Sequence, residues 1–401
     1  MKILFVCHRF PYPADGGGKI RALKMIEHLQ REHDVHVFSM TRDSNEREGQ
    51  RQLTLQVAGC TAPAVSQFET LCSLLMGWVT GKSASEAYFC PPSVRTAMRR
   101  LLDSQPFDMV VAHCSSIGPL IVSAKAPRLL DFCDMDSMKW SLFAGQGRGL
   151  MRWVHLRESK AVRQLEKTLA VRLDACTTAT PAELKILEDI APEAAQTGWF
   201  GNGVDSRYFS PIERGYDPMQ LCFVGRMDYL PNIDCVEWFV QNCWSSIRAK
   251  HPGARFVIIG AAPTERVKAL SEIEGIEVTG TVPDVRPHLG RSVAMVAPLR
   301  IARGVQNKLL EAMAMGVPVV TSRQCAEALD PDVSSCVMKA DKAEEVTLAC
   351  LTLIDNAMVR RERSVIGRKL VRTRSSWGAN LRRLDDLLWD LVSMNPIQKG
   401  V

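Results

Sequence analysis

A lysine and a glutamate stand one helical turn apart in residues 303–320, which read RGVQNKLLEAMAMGVPVV. The pattern predicts a loop, a helix that opens near Gly304, and then a strand. A helix N-terminus offers free backbone N–H groups, and together with the charge of Lys308 these suit an anionic group such as a diphosphate. The Glu311 carboxylate can accept hydrogen bonds from vicinal hydroxyls. The competing interpretation is an ordinary helix with an exposed i, i+3 Lys–Glu pair.

The first half of the chain offers weaker signals at the ends of predicted strands. Gly16, Gly17 and Gly18 join the first strand to the first helix, and glycines let backbone N–H groups approach a ligand closely. His113 ends the strand predicted over 107–112, and histidine exchanges protons near neutral pH. The competing interpretations are a flexible turn and a structural histidine.

Short apolar runs alternate with longer amphipathic ones along the chain, which predicts parallel strand–helix units. These units would position the candidate residues. Ile20, Leu23, Ile26 and Leu29 form the apolar stripe of a helix predicted over 19–32. A turn cluster near residue 205 separates two series of such units. The predicted strands are 2–7, 35–38, 109–112, 128–130 and 175–178, then 221–226, 256–260, 276–280, 293–297 and 317–320, and long helices are predicted over 151–173 and 377–392.

The two series predict an α/β protein with two doubly wound, Rossmann-like domains. We place the first domain at 1–205 and the second at 206–375, and we expect residues 376–401 to form a helix that crosses back to the first. Ligands of open parallel sheets bind at the carboxyl ends of the strands. The expected site is therefore the cleft between the two domains.

Composition excludes several classes of protein. The 401 residues are 46% hydrophobic and 23% charged, which is ordinary for globular chains and unlike disordered or coiled-coil sequences. The formal net charge of +6 favours anionic ligands or an anionic membrane face. No dense Lys/Arg run is interleaved with aromatic residues, so we expect no nucleic-acid partner.

Cysteine use and the N-terminus point to the cytoplasm. The 13 cysteines are scattered, odd in number and free of Cys-x-x-Cys spacing, which predicts small core residues in a reducing compartment. The apolar start of the chain runs directly into His8-Arg9, too short for the core of a signal peptide. The longest apolar stretch, 71–79, is about half of what a membrane-spanning helix needs.

The segment at 311–320 resembles the donor-site signature of the family 4 glycosyltransferases, which have the GT-B fold. That signature carries two glutamates separated by seven residues. Glu311 matches the second, which binds the nucleotide ribose in the family, and Arg303 stands at the position of the first. Residues 201–211, GNGVDSRYFSP, resemble the interdomain segment of the same family.

Residues 223–226, FVGR, resemble the family's strand that ends in a diphosphate-binding arginine, here Arg226. The lysine that usually follows five residues later is replaced by Pro231, followed by Asn232. We infer that Lys308 and Arg303 supply the missing cation.

A narrower subgroup matches further motifs. Residues 227–232, MDYLPN, residues 284–287, DVRP, and residues 298–308, PLRIARGVQNK, resemble the sugar transferases associated with PEP-CTERM/exosortase exopolysaccharide systems. The run Arg-Gly-x-Gln-Asn-Lys is the usual form there. It adds Gly304, Gln306 and Asn307 to the candidate donor-binding residues.

The resemblance implies transfer of a sugar from a nucleotide-diphosphate sugar to a hydroxyl of a lipid-linked or oligosaccharide acceptor, with retention and without a cofactor or metal. The first domain would be the acceptor side, with His113 and the glycine loop at Gly16, Gly17 and Gly18 facing the sugar and phosphate. Arg226 and Lys308 would stabilise charge on the departing diphosphate.

Three alternatives stay open. A sugar-nucleotide epimerase with the GT-B fold shares the two domains, and a non-catalytic carbohydrate-binding relative would accommodate the departures at Arg303 and Pro231. The third is metal-dependent chemistry at Asp134 and Asp136, since paired carboxylates can hold a divalent cation. The pair is common by chance, and we predict a structural or acceptor-side role for it.

The stretch 71–79, with Trp78, Lys82 and the arginines near residue 99, has two interpretations. Apolar and basic groups on one surface suit a peripheral contact with anionic lipid headgroups. The short length favours a core helix followed by a solvated one.

Overall fold

The computed structural model describes residues 1–14, 16–146, 148–212, 216–302 and 304–394. The chain forms two compact units, the first holding Met1–Gly201 and the residues from Leu381 onward, the second Asn202–Asn380. Residues 202–204 belong to the second unit because Val204 bridges Ser376 and the Asn202 carbonyl accepts a hydrogen bond from Asn380. The units thus divide four residues before the predicted boundary at 205.

The first unit contains, among the described residues, a parallel sheet with strand order β3-β2-β1-β4-β5-β6-β7. Its inner strands are buried on both faces, as near-continuous apolar runs such as KILFVC require. The strands are β1 Lys2–Cys7, β2 Asp34–Phe38, β3 Gly59–Thr61, β4 Met109–His113, β5 Arg128–Cys133, β6 Ala175–Thr178 and β7 Thr197–Trp199.

Helices cover this sheet, and several begin at side-chain caps that the sequence encodes. Ser66, Ser83 and Thr180 each accept the backbone N–H of a glutamate three residues later, the spacing of a capping box. The helices are α1 Gly17–Leu29, α2 Ser44–Thr54, α3 Gln67–Val79, α4 Ala84–Phe89, α5 Pro92–Ser104, α6 Asp136–Gln146, α7 Gly149–Arg172 and α8 Pro181–Ile190, with a 3₁₀ helix at Ser115–Leu120.

The second unit repeats the plan with the parallel strand order β10-β9-β8-β11-β12-β13. Its strands are β8 Gln220–Val224, β9 Arg255–Ile259, β10 Ile276–Gly280, β11 Ala294–Ala297, β12 Val319–Thr321 and β13 Met338–Lys339. Its helices are α9 Leu230–Phe239, α10 Ser245–Lys250, α11 Glu265–Ala269, α12 Arg286–Gly290, α13 Asn307–Ala314, α14 Arg323–Glu327, α15 Pro331–Ser334, α16 Ala343–Asp355 and α17 Ala357–Arg374, a π turn at Val240–Trp244 joins α9 to α10, and a 3₁₀ turn at Leu270–Glu272 follows α11. A last helix, α18 Trp377–Met394, begins in this unit and belongs to the first from Leu381 onward.

Each sheet reverses its strand order once, between β1 and β4 and between β8 and β11. The crevice at such a reversal is where open α/β sheets bind their ligands. Two doubly wound parallel α/β units are thus present, and the predicted fold class is confirmed. All ten predicted strands exist with bounds within three residues, whereas the edge strands β3, β7 and β13 were not predicted, because two or three residues carry no periodicity.

Three predictions about helices were wrong in detail. In α1 the buried face carries Arg21, Ala22, Met25, Ile26 and Leu29, whereas Ile20 and Leu23 are half-buried. The helix predicted to open near Gly304 begins at Asn307, because Gly304 has a left-handed φ of 61° that an α-helix does not use. The segment 71–79, favoured as a core helix, is the C-terminal part of α3, and its apolar side chains are largely exposed.

None of the described helices combines the length and the apolar character needed to cross a bilayer. All 13 cysteines lie among the described residues and are free, and nine of them are buried. Most cysteines are therefore small core residues, as predicted. Cys114 differs, because it is partly exposed and holds a left-handed φ of 80° directly after β4.

Candidate functional site

Two glycines shape the carboxyl edge of β8 in the second unit. A Cβ at Gly225 would lie 2.6 Å from the Asn232 Nδ2 and 3.1 Å from the Lys308 Nζ, so only glycine lets both side chains approach the end of the strand. Gly260 has a φ of 147°, and a side chain there would overlap the Gly225 carbonyl. The close packing of Lys308 onto this strand end therefore depends on both glycines.

Lys308 is held against β8 by Asn232. Its Nζ donates to the Asn232 Oδ1 at 2.6 Å and lies 4.5 Å from the centre of the Phe223 ring. The Asn232 Nδ2 in turn donates to the Arg226 carbonyl at 2.8 Å. Asn232, which follows the proline at the family's lysine position, is buried and uses both its amide oxygen and its amide nitrogen to position Lys308.

Burial disfavours the charged forms of Lys308 and Glu311. Burial lowers the pKa of Lys308 to about 8, and it raises the pKa of Glu311 to about 7 although the nearby Lys308 opposes this. Among the described residues neither side chain joins a salt bridge. The pair is therefore not the exposed i, i+3 pair of the competing interpretation. Both side chains are half-buried, Lys308 donates to Asn232, and burial still shifts both groups toward their uncharged forms.

Arg226 faces solvent on the same strand end. Its guanidinium donates to both Asp228 oxygens, at 3.1 and 2.7 Å, and its side chain is 59% exposed. The hydrogen bonds from Arg226 lower the pKa of Asp228. Arg226 therefore has Asp228 as a partner while its side chain stays accessible to solvent.

The loop before α13 contributes backbone groups. Gln306 is the N-cap of α13 and makes no side-chain cap, so the first N–H groups of this helix are not capped by its side chain. The Asn307 Oδ1 is buried without a hydrogen-bond partner among the described residues. Gly304 supplies the turn into the helix, and Arg303 lies outside the described residues.

In the first unit His113 belongs to a buried polar network at the end of β4. Its Nδ1 lies 2.9 Å from the Asp131 Oδ2, and the Arg21 guanidinium donates to both Asp131 oxygens at 2.7 and 2.9 Å. Thr177 donates to the Asp131 Oδ1 at 3.0 Å, and Arg21 also donates to the Phe200 carbonyl at 3.0 Å. Arg21, His113 and Asp131 are fully buried.

Charge pairing outweighs burial in this network. Burial alone would raise the pKa of Asp131, but the charge and hydrogen bonds of Arg21 hold it well below its usual range. Burial alone would lower the pKa of Arg21, and Asp131 raises it above its ordinary value instead. Asp131 thus stays ionised and fixes the His113 ring, whose Nε2 has no hydrogen-bond partner among the described residues.

His8 and Cys114 lie beside His113 because β1 and β4 are paired with Cys7 opposite His113. The two histidine rings are 5.8 Å apart, and the ligand atoms of His8, His113 and Cys114 lie within 4.8 Å of one another. Burial, then the neighbouring His113, lowers the pKa of His8 well below its usual value, so its ring is neutral at pH 7.

The glycine loop also reaches this strand edge. A Cβ at Gly18 would lie 4.0 Å from the His8 ring, whereas Gly16 and Gly17 have open space beside them. Gly16 is the N-cap of α1 in an extended conformation. The structure therefore places Gly18, His8 and His113 together in the first unit.

Among the described residues, Asp134 and Asp136 are not part of a cluster that could hold a metal ion. Asp136 accepts a hydrogen bond from Lys139 at 2.6 Å and opens α6. Burial, then Glu183 and Asp136, raises the pKa of Asp134 to about 6.

Sequence reasoning missed the residues that fix His113 and a cavity in the first unit. Arg21 carried a signal, because a charge on the buried face of a helix demands a partner. A cavity of about 450 Å³ is lined by residues that follow β1, by residues of α1, α2, α3 and α4, and by Met40. Arg9 and Arg42 both line this cavity. Because they lie far apart in the sequence, the sequence alone does not show that they meet there.

Comparison with known proteins gives the family. The Glycosyl transferase 4-like domain matches residues 16–203 and the Glycosyl transferases group 1 domain matches residues 218–356. None of the curated proteins matches the sequence. Together the two domain matches cover both units.

Solved structures of similar fold extend over nearly the whole chain. Sucrose-phosphate synthase from Thermosynechococcus elongatus superposes with a TM-score of 0.71 at 15% identity, covering 98% of this chain and 100% of the other. Anabaena HepE in complex with UDP gives a TM-score of 0.68 at 12% identity, covering 97% and 100%. TarM of S. aureus in complex with fondaparinux, alpha-GlcNAc-glycerol and UDP gives 0.66 at 11% identity, covering 96% and 99%.

These structures establish the fold, and the two domain matches establish the class of enzyme. With its two parallel α/β units, the chain belongs to the glycosyltransferases of the GT-B fold.

Proposed function

We propose that the protein transfers a sugar from a nucleotide-diphosphate sugar to an acceptor hydroxyl, with the nucleotide held by the second unit. The observation that carries this proposal is the placement of Lys308, which Asn232 holds beside the end of β8, with Glu311 one turn further along α13. Both side chains are half-buried, and burial disfavours their charged forms. A diphosphate would supply the negative charge that Lys308 lacks. Ribose hydroxyls would donate to the Glu311 carboxylate and favour its ionised form.

The chemistry follows from where charge develops. Departure of the nucleotide leaves additional negative charge on the diphosphate, and preorganised cations and N–H groups stabilise it. In this proposal Lys308, the first N–H groups of α13 and Arg226 supply these cations and N–H groups. In this proposal Gly304, Gln306 and Asn307 shape the phosphate loop, and Arg303 adds a further cation.

The first unit would contribute His113. Its Nδ1 is held by Asp131, so its Nε2 is oriented and has no partner among the described residues. We assign this nitrogen to a hydroxyl of the donor or acceptor sugar, with Gly16, Gly17 and Gly18 as the adjoining backbone. Retention at the anomeric carbon and independence of metal ions belong to the same proposal.

UDP is the first nucleotide to test. The solved structures of HepE and TarM, which share the fold, were determined with UDP bound. The low sequence identity leaves the sugar and the base of this chain's donor to experiment.

The exposed apolar residues of α3 support a lipid-linked acceptor. Leu75, Met76 and Val79 are 61, 63 and 80% exposed, and Trp78 packs edge-on against Trp153 of α7 with ring centres 5.7 Å apart. These residues, with the exposed Leu150, Met151 and Leu156 of α7, form what we call the apolar patch.

Basic groups lie beside the apolar patch. The Arg157 guanidinium stacks 3.9 Å above the Trp78 ring and donates to the Trp78 carbonyl. Lys160 lines one surface cavity together with Trp153 and Leu156, whereas Lys82 is paired with Glu86 at 3.0 Å. Apolar side chains with adjacent cations are typical of surfaces that bind anionic bilayers. We therefore propose a peripheral membrane contact, and a role in exopolysaccharide or glycoconjugate synthesis follows from such an acceptor.

Thermal unfolding tests the donor half of the proposal. UDP-, GDP-, ADP- and dTDP-sugars are added to the protein, because a ligand that binds the native state raises its apparent stability. We expect one of them to raise the Tm, and we expect Glu311→Ala and Lys308→Ala each to reduce the shift. An unchanged shift in both variants would place the nucleotide elsewhere.

The acceptor half is tested with a lipid extract and the donor so identified. Transfer of labelled sugar that persists with a chelator supports a metal-independent transferase. Interconversion of the donor sugar without any acceptor would favour an epimerase, and donor binding without transfer would favour a carbohydrate-binding relative.

Vesicle sedimentation tests the membrane contact. Wild-type protein should sediment with vesicles that contain phosphatidylglycerol, and a Trp78→Ser/Trp153→Ser variant should stay in the supernatant. Trp389→Ser is the matched control, because this tryptophan is 72% exposed on α18, outside the apolar patch. Equal sedimentation of all three proteins would refute the contact.

A further inference from the structure

Three side chains of the kinds that bind transition metals meet at one edge of the first sheet. β1 and β4 are neighbouring parallel strands with Cys7 opposite His113, so His8, the residue after Cys7, and Cys114, the residue after His113, are brought together. One ligand atom from each of His8, His113 and Cys114 lies within 4.8 Å of the other two. Two imidazoles and a thiol form a donor set that suits Zn²⁺.

The spacing of these atoms is close to that of a metal site. Zn²⁺ binds nitrogen at about 2.0–2.1 Å and thiolate sulfur at about 2.3 Å in a tetrahedral arrangement, which puts neighbouring ligand atoms roughly 3.5 Å apart. The three side chains therefore have to close by only about 1 Å around an ion. His8 and Cys114 are half-buried, which leaves a path for the ion and a fourth position for water.

His113 is oriented to bind an ion through its Nε2. Its ring is fully buried, its Nδ1 lies 2.9 Å from the Asp131 Oδ2, and its Nε2 has no hydrogen-bond partner among the described residues. Metal-binding histidines commonly donate their other ring N–H to a carboxylate, which fixes the ring and raises its basicity. Asp131 provides this arrangement, and a bound ion would satisfy the buried Nε2.

The position of Cys114 is fixed by its backbone. Its φ of 80° lies in the left-handed region, which residues other than glycine seldom adopt. Its N–H donates to the Asp131 carbonyl at 2.8 Å, so β5 holds Cys114 through the same residue that orients the His113 ring. The thiol and the imidazole are therefore positioned by one residue of the neighbouring strand.

His8 and Cys114 are neutral in the metal-free protein. Burial, then the neighbouring His113, lowers the pKa of His8, which leaves a nitrogen lone pair available to a metal ion. Burial raises the pKa of the Cys114 thiol well above its usual value. Binding of Zn²⁺ would therefore replace the thiol proton, which is released to solvent, so that two positive charges enter the site and one leaves.

We propose that His8, His113 and Cys114 bind Zn²⁺, with water as the fourth ligand. The donor set selects the metal, because imidazole and thiolate favour Zn²⁺ over the hard cations Mg²⁺ and Ca²⁺, which bind oxygen. The bound ion occupies the His113 Nε2, the nitrogen that the proposed function assigns to a sugar hydroxyl. Zn²⁺ therefore inhibits transfer, and this consequence rests on the proposed function, whereas the binding of the metal does not.

Co²⁺ is the spectroscopic probe for this site, because it replaces Zn²⁺ in tetrahedral sites and gives a charge-transfer band with a thiolate ligand. The full-length protein should show this band, and Zn²⁺ but not Mg²⁺ should abolish it. We expect Cys114→Ser and His8→Gln each to weaken Zn²⁺ affinity about 100-fold, because even the loss of an outer-shell partner costs about 10- to 100-fold. Cys72→Ser is the matched control, since Cys72 is an exposed free cysteine of α3 outside the cluster.

Circular dichroism and the Tm of each variant establish that it is folded, and His8→Gln tests the cluster independently of the cysteine. A wild-type protein without the band would overturn the proposal. A band that persists unchanged in Cys114→Ser would do the same, as would a band that is lost in Cys72→Ser. Equal Zn²⁺ affinity of the wild type and His8→Gln would remove His8 from the site.

A transfer assay separates the metal site from its effect on activity. The rate of each protein with Zn²⁺ is compared with its own rate in the presence of a chelator. Zn²⁺ should inhibit the wild type reversibly, and Cys114→Ser should need about 100-fold more Zn²⁺ for the same inhibition. Equal inhibition of both proteins would overturn the inhibitory role of the site.

Failure of the proposed function has a different signature. If no nucleotide sugar supports transfer or shifts the Tm of the wild type, the donor proposal fails. A Co²⁺ band that depends on Cys114 and His8 would then still identify the metal site.

Discussion

The two units bury ionisable side chains at the ends of their central strands, but they balance the charges differently. In the first unit Arg21 and Asp131 are both fully buried and satisfy each other with two hydrogen bonds, supported by Thr177. In the second unit Lys308 and Glu311 are half-buried and form no salt bridge among the described residues. Arg21 and Asp131 neutralise each other, whereas Lys308 donates to the neutral amide of Asn232.

We interpret Arg21 and Asp131 as a structural ion pair, and we propose that Lys308 and Glu311 bind the nucleotide. The pKa values of Arg21 and Asp131 move so that both stay charged, as in a stable ion pair. Burial lowers the pKa of Lys308 to about 8 and raises that of Glu311 to about 7, so it disfavours the charged form of both. This is expected of groups whose opposing charge and hydrogen bonds come from a ligand. We therefore propose the donor site at Lys308 and Glu311, where burial disfavours the charged forms, and not at the balanced Arg21–Asp131 pair.

Breaking the ion pair between Arg21 and Asp131 should have the largest effect, and the effect should be on stability. Arg21→Met leaves the Asp131 carboxylate buried without its main cation, and we expect the free energy of unfolding to fall by about 3–5 kcal/mol. Urea denaturation of the full chain measures this. The double variant Arg21→Met/Asp131→Leu should recover part of the loss. A fall below about 1 kcal/mol in the single variant would show that the pair does not stabilise the fold.

Removing Lys308 should affect binding more than stability. Lys308→Met relieves the burial of a cation but leaves the Asn232 Oδ1 without its donor, so the free energy of unfolding should change by less than about 1 kcal/mol. Affinity for the donor nucleotide, measured by calorimetry, should fall about 10- to 100-fold, because a charge-assisted hydrogen bond is worth roughly 1.5–3 kcal/mol. Lys342→Met, at an exposed lysine of the same unit, is the control.

A large loss of stability in Lys308→Met, comparable with that of Arg21→Met, would contradict the contrast between the units. It would mean that Lys308 is already compensated within the chain.

The contribution of Glu311 to the pH dependence of stability gives a second test of the contrast between the two units. Its pKa is raised from 4.5 to about 7, so between these values the folded state binds a proton that the unfolded state does not. Glu311 should therefore lower stability as pH rises through this window, and Glu311→Gln should flatten that part of the profile. The measurement is the Tm of the nucleotide-free protein from pH 5 to pH 8.

Nucleotide affinity should change in the opposite sense. If the ribose hydroxyls need the ionised Glu311, affinity falls as pH drops below about 7. In Glu311→Gln this limb should disappear and the affinity at pH 8 should be about tenfold weaker. The same acid limb in both proteins would exclude Glu311 from the ribose site.

The smallest effect is expected at Asn232. Asn232→Ala removes the acceptor that holds the Lys308 Nζ, but the lysine itself remains. We expect affinity for the nucleotide to fall about fivefold, the value of one ordinary hydrogen bond of about 1 kcal/mol. A loss as large as that of Lys308→Met would mean that Asn232 contacts the nucleotide directly.

The sequence was most informative where a segment carried its own signal. Buried strands such as β1 and β6 are continuous apolar or β-branched runs, and their predicted bounds match the structure. Lys308 and Glu311 were found because their spacing on one helix is a local property. Arg226 was found by resemblance, and the structure adds that Asp228 holds its guanidinium.

Other features required contacts between distant segments. Arg21 and Asp131 are 110 residues apart, and nothing in either segment predicts that they meet under His113. Likewise, the apolar pattern of α3, which carries seven large apolar residues, does not distinguish an exposed helix from one that faces a core. The exposure of α3 depends on which helices pack against it.

The sequence by itself determined the two α/β units and ten of the thirteen strands among the described residues, and it singled out Lys308 and Glu311 as candidates for binding the donor. The tertiary structure alone decided which charges are balanced, since an ion pair or a cavity depends on the distance between side chains from different segments. Burial changes the free energy of a charge by an amount set by all surrounding groups together. For this reason the spacing of Lys308 and Glu311 could be predicted from the sequence, whereas their burial and the contact of Lys308 with Asn232 could not.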